Sequence, residues 1–438
     1  MFRRILIANR GEIAARIIRS CHALGVESVA VYSDADSKLR YLNEATHAAH
    51  IGPSPATQSY LNQNILLEVA LKHDCEAIHP GYGFLSENAL FATRCEQQKL
   101  TFIGPKPWQI RMMGDKATAI ATMQAAGLPI LPGSPNILAS PEQAAKVADI
   151  LGYPVLLKAT AGGGGKGIRL VKSHAELKQA YFEASSEAEK AFSNSGLYLE
   201  KYLPKARHIE FQILADAYGQ IACLGERDCS IQQRHQKLLE EAPAPNFSPK
   251  KRAEISQKIT QALQQIGYLG AGTLEFLMDT RENLYFMEMN TRIQVEHPVT
   301  EMVTGLDLIA EQIKIAAGEK LSQDILESKP GGAAIECRIN ALETGAISNL
   351  NLPKNTRFDT YLYQDTAITP YYDSMIGKLI VHASDRKKAV AAMQNALKDL
   401  KIDGIKTTQP LHQAILEDSN FKKGNYSTAF FEDFKWPK

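Results

Sequence analysis

The alternation of apolar and polar residues near the N-terminus predicts a strand, a helix and a second strand. A short apolar run covers residues 4–8, and apolar residues at helical spacing follow it up to Leu24. Gly25 ends that helix, and residues 29–32 supply the next strand. Because the same pattern recurs as far as residues 101–104, the N-terminal region is predicted to form an open α/β sheet.

Breaks rich in glycine and proline divide the rest of the chain. One lies at residues 104–107, and from Tyr153 a pattern of strand, glycine loop, strand and helix predicts a small separate lobe. Beyond about residue 330 the pattern indicates a smaller α/β unit with a helix near residues 386–400. At 438 residues the chain is too long for one compact core. We predict domains at residues 1–114, 115–330 and 331–438, with a lid subdomain at about 131–204.

A glycine-rich loop occupies residues 162–167, between the predicted strands Tyr153–Ala159 and Ile168–Val171. Glycine lets backbone N–H groups approach phosphate oxygens closely, and Lys166 adds a positive charge. Because neither Ser nor Thr follows the lysine and the loop opens a strand, it is not a P-loop. We predict a hairpin lid over a triphosphate, with Lys158 reaching a phosphate. The alternative is a merely flexible surface hairpin.

The segments Gly272–Met278 and Leu284–Asn290, joined by a polar turn, are predicted to form a hairpin. Its register places Glu275 opposite, or nearly opposite, Glu288, with Asn290 on the same side as Glu288. Two opposed carboxylates would repel each other unless a divalent cation lay between them. Their hard oxygen atoms suit Mg²⁺ that carries a phosphate.

The alternation that begins at Glu288 continues through Asn290, Arg292, Gln294 and Glu296. We predict one extended segment that lines a surface with metal ligands, a guanidinium, an amide and a free carboxylate. The alternative is an ordinary half-exposed strand with polar residues at alternate positions.

Upstream, a basic run contains Arg234, His235 and Lys237. Beside an acidic metal site, these cations would hold anionic oxygens while a phosphate is transferred. Taken alone, such a run is more often a solvated face of a protein.

Composition and charge argue against several classes of protein. Lys and Arg number 49 against 48 Asp and Glu, a formal net charge of +1, so no overall field draws the chain to nucleic acid or to an anionic membrane. The six cysteines lack CxxC spacing, which favours free thiols over a zinc framework or a disulfide scaffold. The first apolar run is too short for a signal peptide, and no apolar run is long enough to span a membrane. A cytoplasmic protein is therefore expected.

Motifs along nearly the whole chain resemble those of the biotin carboxylases. They are IANRGEIA from Ile7, AIHPGYGFLSEN from Ala77, GAGT from Gly270, EMNTRIQVEHPVTE from Glu288 and ECRINA from Glu336. The combination of HPGYGFLSEN with RIQVEHPVTE is highly specific, whereas the glycine loop is generic to ATP-grasp enzymes. The resemblance implies an α/β protein, α+β overall. Its ATP-grasp fold, with the small glycine-loop lid, would lie between a Rossmann-like N-terminal open sheet and a C-terminal α/β domain.

The resemblance also implies roles for individual residues. ATP would contact Lys116, Lys158, Gly164, Gly165, Glu200, Lys201, Tyr202, Leu203, His208 and His235, and Mg²⁺, or Mn²⁺ in its place, would bind Glu275, Glu288 and Asn290. The substrates would contact Tyr82, Lys237, Arg292, Gln294, Val295 and Arg338. Of these residues Lys237, Arg292 and Arg338 would be catalytic, together with the general base Glu296.

The implied reaction is ATP-dependent carboxylation of biotin by bicarbonate, the first half-reaction of a carboxylase such as the acetyl-CoA carboxylase of fatty acid biosynthesis. Glu296 would take the bicarbonate proton, and the bicarbonate oxygen would attack the γ-phosphate to form carboxyphosphate. Its decomposition to CO₂ and phosphate leaves a base for the N1 proton of biotin. Arg338 would then stabilise the enolate-like oxygen of biotin.

The chain contains no AMKM-like biotinylation sequence. Biotin is therefore expected on a separate carrier protein, beside a separate carboxyltransferase, with no nucleic acid or membrane partner. The chain could also form a homodimer.

Residues 341–369 depart from the family, because FxPSPG-like and GVRxD-like segments are missing and the stretch is shorter. Two alternatives stay open: an ATP-grasp ligase that uses another acceptor, such as an amine, and a degenerate subunit without turnover.

Overall fold

The structure, a computed structural model, describes residues 1–134, 136–160, 167–192, 194–234 and 236–435. Its main sheets are a parallel sheet near the N-terminus, a small antiparallel sheet and a large antiparallel sheet. Within these ranges, no helix combines the length and the apolar character that a bilayer crossing requires.

The N-terminal region is an open parallel sheet with connecting helices. Its elements are β1 (Arg4–Ile7), α1 (Gly11–Ala23), β2 (Glu27–Tyr32), β3 (His47–His50), α2 (Gln63–Lys72), β4 (Ala77–His79), α3 (Ala89–Gln97), β5 (Thr101–Phe102) and α4 (Pro107–Gly114), with short 3-10 helices at Asp34–Asp36, Arg40–Asn43 and Ala56–Gln58. The strand order is β3-β2-β1-β4-β5, so the direction of winding reverses between β1 and β4. Ligands bind at such a reversal in open α/β sheets. Asn9, after β1, donates hydrogen bonds to the carbonyls of Pro80 at 2.7 Å and Tyr82 at 2.8 Å, after β4.

A small antiparallel sheet follows in the predicted lid region. The chain forms α5 (Lys116–Ala125), α6 (Pro141–Leu151), β6 (Val155–Ala159), β7 (Ile168–Val171), α7 (His174–Phe192) and β8 (Leu197–Lys201), and β6 lies between β7 and β8. Leu177 and Tyr181 of α7 pack with Val155 and Leu157 of β6 in a core of their own. The glycine loop up to Lys166 lies outside the described residues, so its lid role stays a prediction.

The remaining elements centre on an eight-stranded antiparallel sheet. They are β9 (Arg207–Ala215), β10 (Ile221–Gln233), β11 (Gln236–Ala242), α8 (Pro249–Gln265), β12 (Gly270–Met278), β13 (Leu284–Asn290), α9 (His297–Thr304), α10 (Leu308–Ala316), α11 (Gln323–Leu326), β14 (Ala333–Asn340), β15 (Gly345–Ala346), β16 (Asn349–Asn351), β17 (Arg357–Thr360), β18 (Ala367–Ile368), β19 (Met375–Ala383), α12 (Arg386–Asp399), β20 (Lys401–Asp403), α13 (Gln409–Glu417), α14 (Ser419–Lys423) and α15 (Phe430–Asp433). The sheet has the order β13-β12-β9-β10-β11-β14-β19-β17. It therefore continues across the predicted boundary near residue 330.

The stretch that departs from the family pattern is folded onto this sheet. Within residues 341–369, β17 pairs with β19, and the short strands β15 and β16 pair with β18 and β20. Ile347 and Leu362 are buried in the core of the C-terminal region. Residues 341–369 thus contribute a regular edge strand and core residues.

The predicted hairpin register is confirmed, because Glu275 and Glu288 are direct partners across β12 and β13. The prediction of an extended segment as far as Glu296 is wrong. The strand ends at Asn290, and α9 begins at His297. Pro298 accounts for the start of the helix, since proline fits the first turn of a helix.

Candidate active site

A cavity of about 1120 Å³ opens between the carboxyl edge of the parallel sheet, the small sheet and the large sheet. Most of the predicted site residues line it: Tyr82, Lys116, Lys158, Lys201, Tyr202, Leu203, His208, Lys237, Glu275, Glu288, Asn290, Arg292, Gln294, Val295, Glu296 and Arg338. Glu200 is not a lining residue, but its carboxylate accepts a hydrogen bond from the Lys158 ammonium. Gly164, Gly165 and His235 lie outside the described residues.

The two opposed carboxylates have different surroundings. Glu275 is 5% exposed and accepts a hydrogen bond from Asn290 Nδ2 at 2.9 Å, and His208 Nε2 lies 3.1 Å from its other oxygen. Burial would raise the pKa of Glu275, but the charges of Lys237 and His208 hold it well below its ordinary value. Glu288 is more open and lies 3.4 Å from Lys116 Nζ. Two carboxylates with the Asn290 side chain beside them fit Mg²⁺, which prefers hard oxygen ligands.

Lys237, on β11, lies among three carboxylates. Its ammonium donates to Glu210 at 2.6 Å, to Glu275 at 2.9 Å and to Glu296 at 2.6 Å. Burial would lower the pKa of Lys237, but these carboxylates, Glu210 first, raise it well above its ordinary value. The ammonium is therefore charged at neutral pH and can pass from a carboxylate to an anionic substrate.

Arg338, on β14, reaches the other side of Glu296. Its Nη2 donates to Glu296 Oε2 at 2.9 Å, and its Nε donates to Glu240 Oε1 at 2.6 Å. Burial would raise the pKa of Glu296, yet Lys237 and then Arg338 lower it well below its ordinary value. Glu296 is thus an ionised carboxylate held between two cations.

Arg292 joins the large sheet to the N-terminal region. Its Nε donates to Glu87 at 2.9 Å and its Nη2 to Asn290 Oδ1 at 3.0 Å, while Gln294 Nε2 donates to Glu275 at 2.7 Å. Sequence reasoning missed Glu87 as a partner, although this residue lies inside the HPGYGFLSEN motif. The turns after β13 therefore bring Arg292 and Gln294 to the cavity without an extended strand.

Sequence reasoning also missed a buried polar network behind the cavity. Arg227 is fully buried and donates to Glu210, to Gln212 at 2.8 Å, to Thr300 at 2.9 Å and to Gln294 at 3.0 Å. The polar residues at alternate positions of β9, His208, Glu210 and Gln212, could have indicated it, because a strand buried on both faces is otherwise apolar. The network holds Glu210 against Lys237 and Gln294 against Glu275.

Aromatic and charged residues of the N-terminal and C-terminal regions also line the cavity. The Tyr82 hydroxyl donates to Glu12, and Arg10 lies over the ring of Tyr372 at 4.1 Å and that of Tyr361 at 5.4 Å. Tyr361 belongs to the segment that departs from the family pattern. This segment therefore contributes directly to the cavity wall.

The cavity separates lysines of the small sheet from paired carboxylates of the large sheet, with room for a triphosphate between them. Fold and site together define the class of ATP-grasp ligases. Residues 115–324 match the family described as carbamoyl-phosphate synthase L chain, ATP binding domain. Residues 1–110 match the N-terminal domain of biotin carboxylase, and residues 336–433 match its C-terminal domain. The chain belongs to the biotin carboxylase family.

Relatives and solved structures agree with this placement. The chain is 50% identical over 444 residues to the biotin carboxylase of Nostoc sp., with 99% of each chain covered. A structure of biotin carboxylase from Campylobacter jejuni in a β,γ-ATP complex superposes with a TM-score of 0.95 at 45% identity, covering 99% of both chains. The biotin carboxylase domain dimer of Hydrogenobacter thermophilus 2-oxoglutarate carboxylase, in complex with MgADP and bicarbonate, gives 0.94 at 46% identity over 100% of both chains. The predicted fold class and enzyme class are confirmed.

Proposed function

We propose that the chain carboxylates biotin on a separate carrier protein, using ATP and bicarbonate, as the first half-reaction of a biotin-dependent carboxylase. The observation that carries the proposal is the position of Glu296, whose oxygens lie 2.6 Å from Lys237 Nζ and 2.9 Å from Arg338 Nη2. Glu296 thereby connects Lys237, which would face the phosphates, with Arg338, which would face biotin.

For nucleotide binding, we propose that Lys116 and Lys158 hold the phosphates and that residues 200–203 form the hinge beside the adenine. Glu275, Glu288 and Asn290 would hold Mg²⁺. When bound, this ion neutralises phosphate charge and orients the γ-phosphate. The small sheet would close over the nucleotide and exclude water.

For bicarbonate, we propose a site between Lys237, Arg292, Gln294 and Val295, with Glu296 as the general base. Bound bicarbonate would draw the positive charge of Lys237 away from Glu296, so the pKa of Glu296 would rise and the carboxylate would become basic enough to accept a proton. The bicarbonate oxygen then attacks the γ-phosphate in line. With ADP displaced, carboxyphosphate decomposes to CO₂ and phosphate. The phosphate then takes the N1 proton of biotin, Arg338 stabilises the enolate-like oxygen, and N1 attacks CO₂ to give carboxybiotin.

We further propose separate carrier and carboxyltransferase chains, a homodimer and a cytoplasmic location, within an acetyl-CoA carboxylase of fatty acid biosynthesis. The homodimer is supported by the dimer described for the Hydrogenobacter domain. The carboxyltransferase selects the final acceptor. Assays of the reconstituted complex with acetyl-CoA and with 2-oxoglutarate would therefore separate the two kinds of complete enzyme.

The central experiment omits one reactant at a time. Purified protein is incubated with ATP, Mg²⁺, radiolabelled bicarbonate and free biotin, and phosphate and carboxybiotin are measured. We expect carboxybiotin only in the complete mixture. Phosphate release that requires an amine but not biotin would support a different ATP-grasp ligase. The absence of release under every condition would support a degenerate subunit.

A further inference from the structure

Two buried glutamates lie behind Arg338 on neighbouring strands. Glu240 of β11 and Glu336 of β14 are direct partners in the antiparallel register, and each is 0% exposed. Side chains of directly opposed residues point to the same face, with Cβ atoms about 4.5–5.5 Å apart. The two carboxyl groups are therefore neighbours in a site closed to solvent.

Their hydrogen bonds are incomplete. Glu240 accepts one hydrogen bond, from Arg338 Nε at 2.6 Å, and its Oε2 has no partner among the described residues. Both carboxylate oxygens of Glu336 also lack a hydrogen-bond partner among the described residues. Two adjacent ionised carboxylates would repel each other and would lack solvation. One proton removes both penalties, because a neutral carboxylic acid can donate its O–H to the carboxylate beside it.

Nearby charges do not neutralise Glu336 by contact. Within the described part of the chain, Glu336 has no salt-bridge partner, and the buried Lys378 of β19 is held by the Val295 carbonyl at 2.8 Å and by Glu12 at 3.1 Å. The other titratable or charged groups that act on the pair are Lys237 of β11, Cys229 of β10, Glu296, Tyr82 after β4, and Cys337 and Arg338 of β14. Burial raises the pKa of Glu336 well above its ordinary value and that of Glu240 to about 7.

We propose that Glu240 and Glu336 hold one proton between them, and that ionised Glu240 is a positioning residue that keeps Arg338 in place while Glu296 changes charge. The inference rests on the proposed function, in which Glu296 gains a proton from bicarbonate. Protonated Glu296 attracts Arg338 less, whereas the bond from Nε to Glu240 persists on the other side of the guanidinium. Neutral Glu336 supports Glu240 without adding a second negative charge that would hold Arg338 away from biotin.

Infrared difference spectroscopy tests for the shared proton and does not require the protein to turn over substrate. Spectra of the wild type and of Glu336→Gln are compared at neutral pH for the carbonyl band of a protonated carboxylic acid. We expect the wild type to show a band that is missing in Glu336→Gln. A matched control is Glu241→Gln, which changes an equally buried glutamate that pairs with Arg386 at 2.6 Å and does not contact Arg338. A difference spectrum without this band would overturn the proposal.

Kinetics tests the positioning role. Losing the charge-assisted hydrogen bond in Glu240→Gln is expected to lower biotin-dependent turnover about 10- to 100-fold. Cleavage of ATP with bicarbonate but without biotin should fall much less. Glu240→Asp, which keeps the charge, should restore part of the loss. In Glu336→Gln the amide can stand in for the neutral acid, so biotin-dependent turnover should fall far less than in Glu240→Gln.

Two outcomes distinguish a failure of the positioning role from a failure of the proposed function. Equal losses of biotin-dependent and biotin-independent ATP cleavage in Glu240→Gln would refute the positioning role. Wild-type protein that releases no phosphate in response to biotin would refute the proposed function before any variant is made. In that case the infrared band still decides whether the glutamate pair shares a proton.

Discussion

Every carboxylate at the centre of the cavity is already paired with a cation of the chain. Lys237 contacts Glu275 and Glu296, Arg338 contacts Glu296, and Lys116 lies near Glu288. Anionic substrates therefore compete with side chains for these cations. Because each pairing that a substrate breaks releases a carboxylate, binding of ATP and bicarbonate would also prepare the metal ligands and the base.

Replacing Glu288 by lysine is the most direct test of the metal site. Glu288→Lys places an ammonium where Mg²⁺ is expected to bind and only a short distance from Lys116. We expect loss of measurable ATP cleavage, because like charges would exclude the ion. Phosphate release is the measurement, and Glu288→Gln serves as the control that removes charge without reversing it. Retained phosphate release by Glu288→Lys would refute the metal assignment.

Removing Arg338 should separate nucleotide binding from transfer to biotin. In Arg338→Ala we expect the Kd of ATP to change little, because the proposed function assigns this side chain, which pairs with Glu296, to biotin and not to the nucleotide. Carboxybiotin formation should fall by about 100-fold or more, as when a group that stabilises a developing oxyanion is lost. Calorimetry measures the Kd of ATP, and transfer of radiolabel to biotin measures carboxybiotin formation. Equal losses in both would contradict the acceptor-side role.

At the scale of elements, the shape of the site depends on where β13 ends. Residues 288–290 extend the strand, whereas the turns before Pro298 carry Gln294 and Glu296 into the cavity. The alternation of polar residues correctly predicted the paired carboxylates, which depend on a local hairpin. It wrongly predicted a continuous strand, because alternation alone does not indicate where a helix begins.

A glycine in the C-terminal region tests how residues 341–369 are anchored. Gly404 has φ +99°, and an added Cβ would lie 2.1 Å from the carbonyl oxygen of Ala346. We expect Gly404→Ala to destabilise the protein by about 1–3 kcal/mol, measured by urea unfolding. Gly219→Ala is the matched control, because Gly219 also has a positive φ but nothing lies within 4 Å of the added Cβ. Equal losses of stability would exclude the clash as the cause.

At the scale of the whole molecule, a buried ion network joins the N-terminal region to the rest of the chain. Arg16 of α1 donates to Glu301 of α9 at 2.8 Å and to Asp307, at the start of α10, at 2.8 Å. Arg357 also contacts Glu301, at 2.7 Å. The network couples three regions that are distant in sequence, so the parallel sheet keeps its position relative to the cavity.

Removal of Arg16 should therefore destabilise the protein. We expect Arg16→Met to lower the free energy of unfolding by about 3 kcal/mol, the low end for a broken buried ion pair, because Arg357 still neutralises Glu301. Arg19→Met on the same helix is the control. The Arg19 side chain is 44% exposed, and Arg357 also pairs with Asp359, so the Arg19–Asp359 ion pair should contribute less than about 1 kcal/mol. Denaturant unfolding of both variants checks the difference, and similar losses would argue against the role of burial.

The dependence of stability on pH reports on a buried histidine. Burial lowers the pKa of His412 from 6.5 to about 4, and its Nε2 lies 2.7 Å from the Arg338 carbonyl. The unfolded state therefore binds more protons between these values, so this contribution is complete above pH 6.5 and declines as the pH falls towards 4. His412→Gln should flatten the slope of unfolding free energy against pH by up to about 1.4 kcal/mol per unit. An unchanged slope in His412→Gln would contradict this assignment.

The order of the amino acids was enough to predict the family, the open parallel sheet and the hairpin that opposes Glu275 and Glu288. These features depend on motifs and on periodicity between near neighbours in the chain. Three features emerged only from the folded chain: Glu87 pairs with Arg292, Glu210 lies against Lys237, and Glu240 and Glu336 are enclosed together behind Arg338. The physical reason is that such partners are brought together by the packing of distant strands, and a local pattern carries no information about which charges then come within hydrogen-bond distance.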